Sequence, residues 1–402
     1  MTQLEHKKAI LKRARRVVVK IGSQILSSSD GIEEARLRGL VRELAELHEQ
    51  KKEIVVVSSG AVAAGMMQLG RKERPKSIPE KQALAAVGQI KLMALYERAF
   101  SKFGKSVAQV LLTADDLANR QRYINAKHTF QVLLESAIIP IVNENDTVAV
   151  DEMKFGDNDH LSALVATLLE ADLLVILSDV EGVYDKDPRV HRDAQLISLI
   201  DEPKGIRQAI GGDSMSSVDK SVSITPSAGA LNMIGVASMT SVGTGGIVTK
   251  LGAAEEAAAA GIPTFITSGL QSGVLAKVFD AKEQVGTLIL PGADRLPSRK
   301  HWIAYNLKPS GEIVVDQGAH DAVVQKGKSL LPSGLKEVRG VFGVGECVRC
   351  LDLDGKEFAR GLVNYSAQEL NRIRGLHTSR IEKVLGYKAY EEIIHRDDLV
   401  VL

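Results

Sequence analysis

The chain has 402 residues, a formal net charge of +1, and a composition that is 45% apolar and 25% charged. That length predicts two or three domains with a core large enough to need no disulfides, and the near-neutral balance gives no global attraction to nucleic acid or anionic lipid. The N-terminus MTQLEHKKAILKRARR is charged and helix-forming, without the apolar segment of a signal peptide. No run reaches the roughly 18 apolar residues of a membrane span, and with only Cys347 and Cys350 present a reducing cytoplasm is the expected location.

The first β-branched run, RVVVKI (16–21), ends on Lys20, Ile21, Gly22 and Ser23. A lysine at the end of an apolar strand is costly to bury without an anionic partner, unless its stem snorkels to water, and Gly22 lets a ligand approach the backbone. A helical pattern near 33–50 leads to the strand EIVVVSS (53–59). Ser58, Ser59 and Gly60, then Ala61 to Gly65, place hydroxyls, a glycine and small residues at a helix start. These read equally as an anion cradle and as an N-cap with close helix packing.

A helical segment near 81–103 precedes VAQVLLT (107–113), and another near 119–136 precedes AIIPIVNEN (137–145). Asn143, Glu144, Asn145 and Asp146, followed by Phe155, Gly156, Asp157, Asn158 and Asp159, gather acids and amides around a strand end and the start of a helix near 159–171. Such groups hold an ammonium, orient lysines or coordinate magnesium; Gly156 to Asp159 also read as a solvated turn with an aspartate cap. The fifth run, LLVILSD (173–179), ends on Ser178 and Asp179, which suit a nucleotide's base and ribose or a plain turn.

Residues 212–241 are rich in Ser, Gly and Ala and read as a loop or lid. Gly243, Thr244, Gly245, Gly246, Ile247, Val248, Thr249 and Lys250 then open a helix with phosphate-binding logic, although neither GxxxxGK[ST] nor GxGxxG is matched. PTFITS (263–268) and GTLIL (286–290) close the rhythm. Nearly continuous apolar strands alternating with helices predict a mostly parallel sheet covered on both faces, an αβα sandwich with ligands at the carboxyl ends of the strands.

After residue 290 a proline-rich stretch reads as a linker, and 311–390 as a small β-rich barrel. Its expected strands include GEIVVD, KSLLPSG and GECVRCLDLDG, with short helices near 366–373 and 378–385. Cys347 and Cys350, three apart on a strand, point to opposite faces and cannot clamp one metal, so they read as ordinary buried thiols.

Together VVVKIGS (17–23), SSGAVAAG (58–65), KQALAAVGQ (81–89), INAKHT (124–129), VNENDTVA (142–149), FGDNDHLSALVA (155–166), LSDVEGVYDKDPR (177–189) and GTGGIVTK (243–250) resemble the amino acid kinase family, and the tail resembles a PUA domain. The resemblance implies an open αβα kinase domain at 1–295 and a PUA-like domain at 309–390. It implies transfer of the γ-phosphoryl of ATP to the side-chain carboxylate of glutamate, the first step of proline synthesis. Lys20 and Lys250 would neutralise the moving phosphoryl, Asp159 would hold both lysines, and Gly22 and Gly60 would offer N–H groups. Ser59, Asp146, Asp157 and Asn158 would bind glutamate. Lys20, Lys250, Ser178, Asp179 and the 243–249 loop would bind ATP, with Mg2+ carried on the phosphates.

The resemblance further implies feedback inhibition by proline, a homo-oligomer, and handover to a glutamyl phosphate reductase. Other kinases of the fold, acting on aspartate, acetylglutamate, carbamate or a nucleoside monophosphate, share the lysines and glycines. RNA binding is a further alternative because PUA-like barrels accompany RNA-modifying enzymes. It is disfavoured because the 14 basic and 14 acidic residues of 303–402 cancel.

Overall fold

The computed structural model describes residues 2–28, 31–149, 157–186, 188, 191–201, 246–292 and 298–402. The expected lid at 212–241 lies outside them, as do Phe155, Gly156, Gly243, Thr244 and Gly245. The backbone divides into two compact units, Met1–Arg295 and Leu296–Leu402.

In the first unit, eight strands form one sheet: β1 Arg16–Ile21, β2 Glu53–Ser58, β3 Val107–Leu112, β4 Ile139–Glu144, β5 Leu173–Ser178, β6 Leu199–Ile200, β7 Thr264–Ser268 and β8 Thr287–Ile289. Their order is β6-β8-β7-β5-β1-β2-β4-β3. Central β1 runs parallel to both neighbours, with Val18 opposite Val55 on β2 and Leu174 on β5. Only the β7–β8 pairing is antiparallel, so the sheet is mostly parallel as expected.

The apolar runs follow from burial on both faces. Val17, Val19 and Ile21 enter a core with α2 (Glu34–Glu49) and α4 (Ile78–Ser101), while Val18 enters a second core with α6 (Asp157–Leu168) and α7 (Ile247–Ala259). A strand's period of two sends alternate residues to opposite layers, so both must be apolar. Other helices among the described residues of this unit include α1 Gln3–Arg13, α3 Ala61–Gln68, α5 Arg120–Glu135 and α8 Val274–Phe279, beside the short helices Ser23–Leu26 and Ala114–Ala118. Helix α1 is anchored by buried Lys7, whose Nζ donates to the carbonyls of Lys277 (2.7 Å) and Glu283 (2.6 Å).

Helix α3 sits against α4 at backbone distance. A Cβ on Gly88 would fall 1.8 Å from the Ala61 carbonyl oxygen, and one on Gly65 would fall 1.9 Å from that of Leu84. The glycines therefore set the seating of α3.

The second unit has a five-stranded sheet of β9 Gly311–Val315, β10 Leu335–Gly340, β11 Cys347–Leu351, β12 Glu357–Leu362 and β13 Leu399–Val401, in the order β10-β9-β11-β12-β13. It departs from the sequence reading in four places. The supposed linker contains the helix Ser298–His301 and a π-turn at Trp302–Asn306 that buries Ile303 and Ala304. KSLLPSG is no strand: Pro332–Gly334 form a 3-10 turn. Helix α9 (Gln317–Val324) was unforeseen although Asp316 caps it, accepting from the Ala319 N–H at 2.9 Å. Finally, β13 extends the unit beyond residue 390 by pairing with β12.

On β11, Cys347 packs with Ile303, Ala304 and Val400, while Cys350 packs in the other core. Burial pushes the Cys347 thiol up to about 11 and raises Cys350 as well. Charged side chains on the sheet form ion pairs, Arg349 with Glu312, Arg339 with Glu337 and Arg360 with Glu357, while Lys336 pairs with Asp316 beyond the end of β9.

Gly88→Ala is expected to destabilise the protein by about 1–3 kcal/mol through overpacking. Denaturant unfolding measures it, and an unchanged midpoint would contradict the backbone contact.

Candidate active site

The carboxyl ends of β1, β2, β4 and β5 open onto a cavity of about 450 Å³, within the range of a small-molecule site. At its floor lie three buried charges: Lys20 from β1, Asp159 from the first turn of α6 and Lys250 from the first turn of α7. Lys20 Nζ is 2.5 Å from Asp159 Oδ1, and Lys250 Nζ is 3.4 Å from Oδ2. The Thr249 hydroxyl lies 2.6 Å from the same Oδ2.

A helix start favours an anion, so the α6 dipole assists Asp159. Burial pushes the Asp159 carboxyl up, but Lys20, Lys250 and the bond from Thr249 outweigh it and hold the group below the ordinary aspartate value. Burial is also the largest influence on Lys250 and depresses its ammonium, against the opposing pull of Asp159. These three groups carry one more positive than negative charge in a site that water barely reaches. Desolvated cations of this kind gain strongly from an anionic ligand.

Gly60 caps α3 with φ +111°, a left-handed conformation that favours glycine. The first N–H groups of α3 have no intrahelical acceptor, and Ala61, Val62 and Ala63 line the cavity. Gly22 behaves differently from expectation, because its N–H donates to the Leu177 carbonyl at 3.2 Å. A Cβ there would make only ordinary contacts, 3.4 Å from the Leu177 carbonyl oxygen and 3.6 Å from Lys20 Nζ, so the structure places no steric demand for glycine at this position.

Ser59, Asp146 and Asn158 all line the cavity, as do Ser178 and Asp179. Asn158 Nδ2 donates to Ser59 Oγ at 2.8 Å, and Ser178 Oγ donates to Asp179 Oδ1 at 3.0 Å. Gly246 caps α7, and Ile247, Val248 and Thr249 form its first turn below Lys250. Asp157 opens α6; its side chain, with Gly243, Thr244 and Gly245, falls outside the described residues.

Sequence reading missed Arg74 and Lys81, two exposed cations on the cavity wall. They flank the start of α4 within a run of charges that has no periodic signal. It also missed the contact of His160 Nδ1 with fully buried Glu256, 2.8 Å apart, which ties the helix of Asp159 to that of Lys250. A histidine beside an aspartate and a glutamate in an alanine-rich helix give no cue that they meet.

The stability effect of Asp159 has a defined sign. Its native pKa lies below the unfolded one, so its stabilisation is present above about pH 3.9 and is lost as pH falls through the native value. Asp159→Asn is expected to cost about 3 kcal/mol at pH 7. Denaturation of both proteins should show the gap closing in acid; a pH-independent gap would count against the pairing.

The sequence profile of the amino acid kinase family matches residues 15–268, and that of the PUA domain matches residues 311–385. The chain is 51% identical over 395 residues to a protein of Geobacter metallireducens named glutamate 5-kinase, covering 98% of this chain and 99% of the relative. Proteins of the same name from Geobacter sulfurreducens (49% identity; 98% and 99% covered) and Thermoanaerobacter sp. (45%; 96% and 98%) match similarly. With its lysine-flanked carboxylate and nearly full-length relatives, the chain belongs to the amino acid kinase family and carries a PUA domain after the kinase domain.

Proposed function

We propose that this chain transfers the γ-phosphoryl group of ATP to the side-chain carboxylate of glutamate, forming γ-glutamyl phosphate. The observation that carries the chemistry is the pair of buried ammoniums, Lys20 and Lys250, sharing the single carboxylate of Asp159. Donor and acceptor are both anions, so the work lies in holding them together and neutralising the transferring group. A carboxylate is already ionised at neutral pH, and no general base is required. Asp159 keeps the two lysines at their stations instead of acting on a proton.

In this reading the acceptor lies between the start of α3 and the start of α6, against Ser59, Asp146, Asp157 and Asn158. Gly60 and the first N–H groups of α3 face its reacting end. The nucleotide lies along Ser178, Asp179 and the segment 243–249, with its phosphates between Lys20 and Lys250. Mg2+ supplies charge neutralisation on the phosphates. It takes few protein ligands beside phosphate and water oxygens, and Asp179 on the exposed edge of the cavity suits such a site.

The relatives' shared name supports glutamate over the other acceptors of this fold. The same reading carries proline as an inhibitor at the acceptor site, a homo-oligomer, and transfer of the labile acyl phosphate to a reductase. A cytoplasmic location accords with it, and among the described residues no helix is long and apolar enough to cross a membrane.

The test is ADP release with magnesium and hydroxylamine across glutamate, aspartate, acetylglutamate and uridine monophosphate. Glutamate-dependent γ-glutamyl hydroxamate is the expected product, and turnover with another acceptor alone would reassign the substrate. Lys250→Ala is expected to lower kcat by about 10²–10³-fold, the effect of removing one preorganised charge-stabilising donor; a loss below threefold would remove Lys250 from the mechanism.

A further inference from the structure

Between β2 and α3 the chain passes through a peptide that is held from the buried side. The Ser59 N–H donates to the Ile21 carbonyl on β1 at 3.1 Å, and the Ser59 carbonyl accepts from the Ser58 hydroxyl at 3.0 Å. A serine hydroxyl carries one hydrogen, so the 2.9 Å contact between Ser58 Oγ and the Tyr96 hydroxyl is donated by Tyr96. Burial pushes the Tyr96 phenol far above its usual range and keeps that proton in place. Tyr96 on α4 and Ser58 are both fully buried, and neither lines the cavity.

This relay, from Tyr96 to Ser58 to the Ser59 carbonyl, acts at the far side of the peptide. The Ser59–Gly60 bond is trans, so its N–H points opposite to its carbonyl. With the carbonyl drawn to a buried hydroxyl, the Gly60 N–H is turned the other way, and Gly60 lines the cavity. Among the described residues that N–H has no acceptor. Gly60 has no Cβ and sits at φ +111°, so the peptide before it could rotate by half a turn at little steric cost. The rotated peptide would present a carbonyl oxygen, which repels an anion, where the N–H now stands.

We propose that Ser58, backed by Tyr96, is a positioning residue for phosphoryl transfer. It locks the Ser59–Gly60 peptide in the orientation that offers the Gly60 N–H to the reacting group. This rests on the functional reading above, in which Gly60 faces the reacting end of the acceptor. A donor aimed at charge that shifts as the phosphoryl group moves is felt in kcat more than in ground-state binding.

The experiment measures glutamate-dependent ADP release and γ-glutamyl hydroxamate for full-length wild type, Ser58→Ala, Tyr96→Phe and the double variant, with the denaturation midpoint of each. Ser58→Ala is expected to lower kcat about tenfold with both KM values within about twofold. Tyr96→Phe keeps the ring and the Ser58 hydroxyl, and is expected to lower kcat about threefold. Because Tyr96 acts through Ser58, the double variant should be no slower than Ser58→Ala. Stability should behave differently. Ser58→Ala leaves the buried Tyr96 hydroxyl without its acceptor, and removing that hydroxyl as well should return the midpoint toward wild type. A kcat that recovers with the midpoint in the double variant overturns the inference, because the pair is then structural only. So do two losses that multiply in the double variant, a loss confined to KM, or an unchanged kcat in Ser58→Ala. If Ser58→Ala does not fold, Tyr96→Phe decides alone: a lower kcat at steady KM supports the inference, and an unchanged kcat overturns it. All these outcomes leave the kinase reading standing, whereas no hydroxamate from wild type overturns that reading and this inference with it.

Discussion

Two lysines share one dry cleft because a single carboxylate lies between them. Lys20 and Lys250 are each almost wholly buried, and without Asp159 their mutual repulsion and lost hydration would have no offset. With it, the cluster keeps one surplus positive charge where water cannot screen it. That surplus belongs to the three buried groups, and it is there that the proposed reaction places the transferring phosphoryl group. The arrangement also determines which secondary elements must meet, since the carboxyl end of β1 and the starts of α6 and α7 have to converge on one point. The parallel pairing of β1 with β5 and the packing of α6 beside α7 on one face satisfy that requirement.

The opposite wall depends on a different constraint. Helix α3 brings its N–H groups to the cavity only because Gly65 and Gly88 let its backbone rest on α4. The same helix α4 carries Gln89 one residue beyond the contact glycine. Its Oε1 accepts from Asn143 Nδ2 at 2.8 Å, so neighbouring positions of α4 seat α3 and hold an amide at the end of β4.

The C-terminal unit contrasts with this. Its arginines pair with carboxylates on their own strand or the next, Arg339 with Glu337, Arg360 with Glu357 and Arg349 with Glu312, and its two cysteines are divided between separate cores.

The sequence by itself determined the local pieces. Apolar runs such as RVVVKI and LLVILS read as strands buried on both faces, and the small polar residues after each lie where the strand ends open onto the cavity. The capping aspartate of α9 was equally local, yet it went unread among the closely spaced short strands of the tail. What only the tertiary structure decided was the pairing of distant side chains. Lys250 meets Asp159 from 91 positions away, and Glu256 meets His160 from 96. Gln89 reaches Asn143 across 54 positions. Periodicity reports which face a residue takes on its own element, whereas a shared carboxylate or an amide chain depends on how the elements are placed around one another. The N–H of Gly22 makes the same point: its residue type suggested an open donor, and sheet geometry turned it to the Leu177 carbonyl.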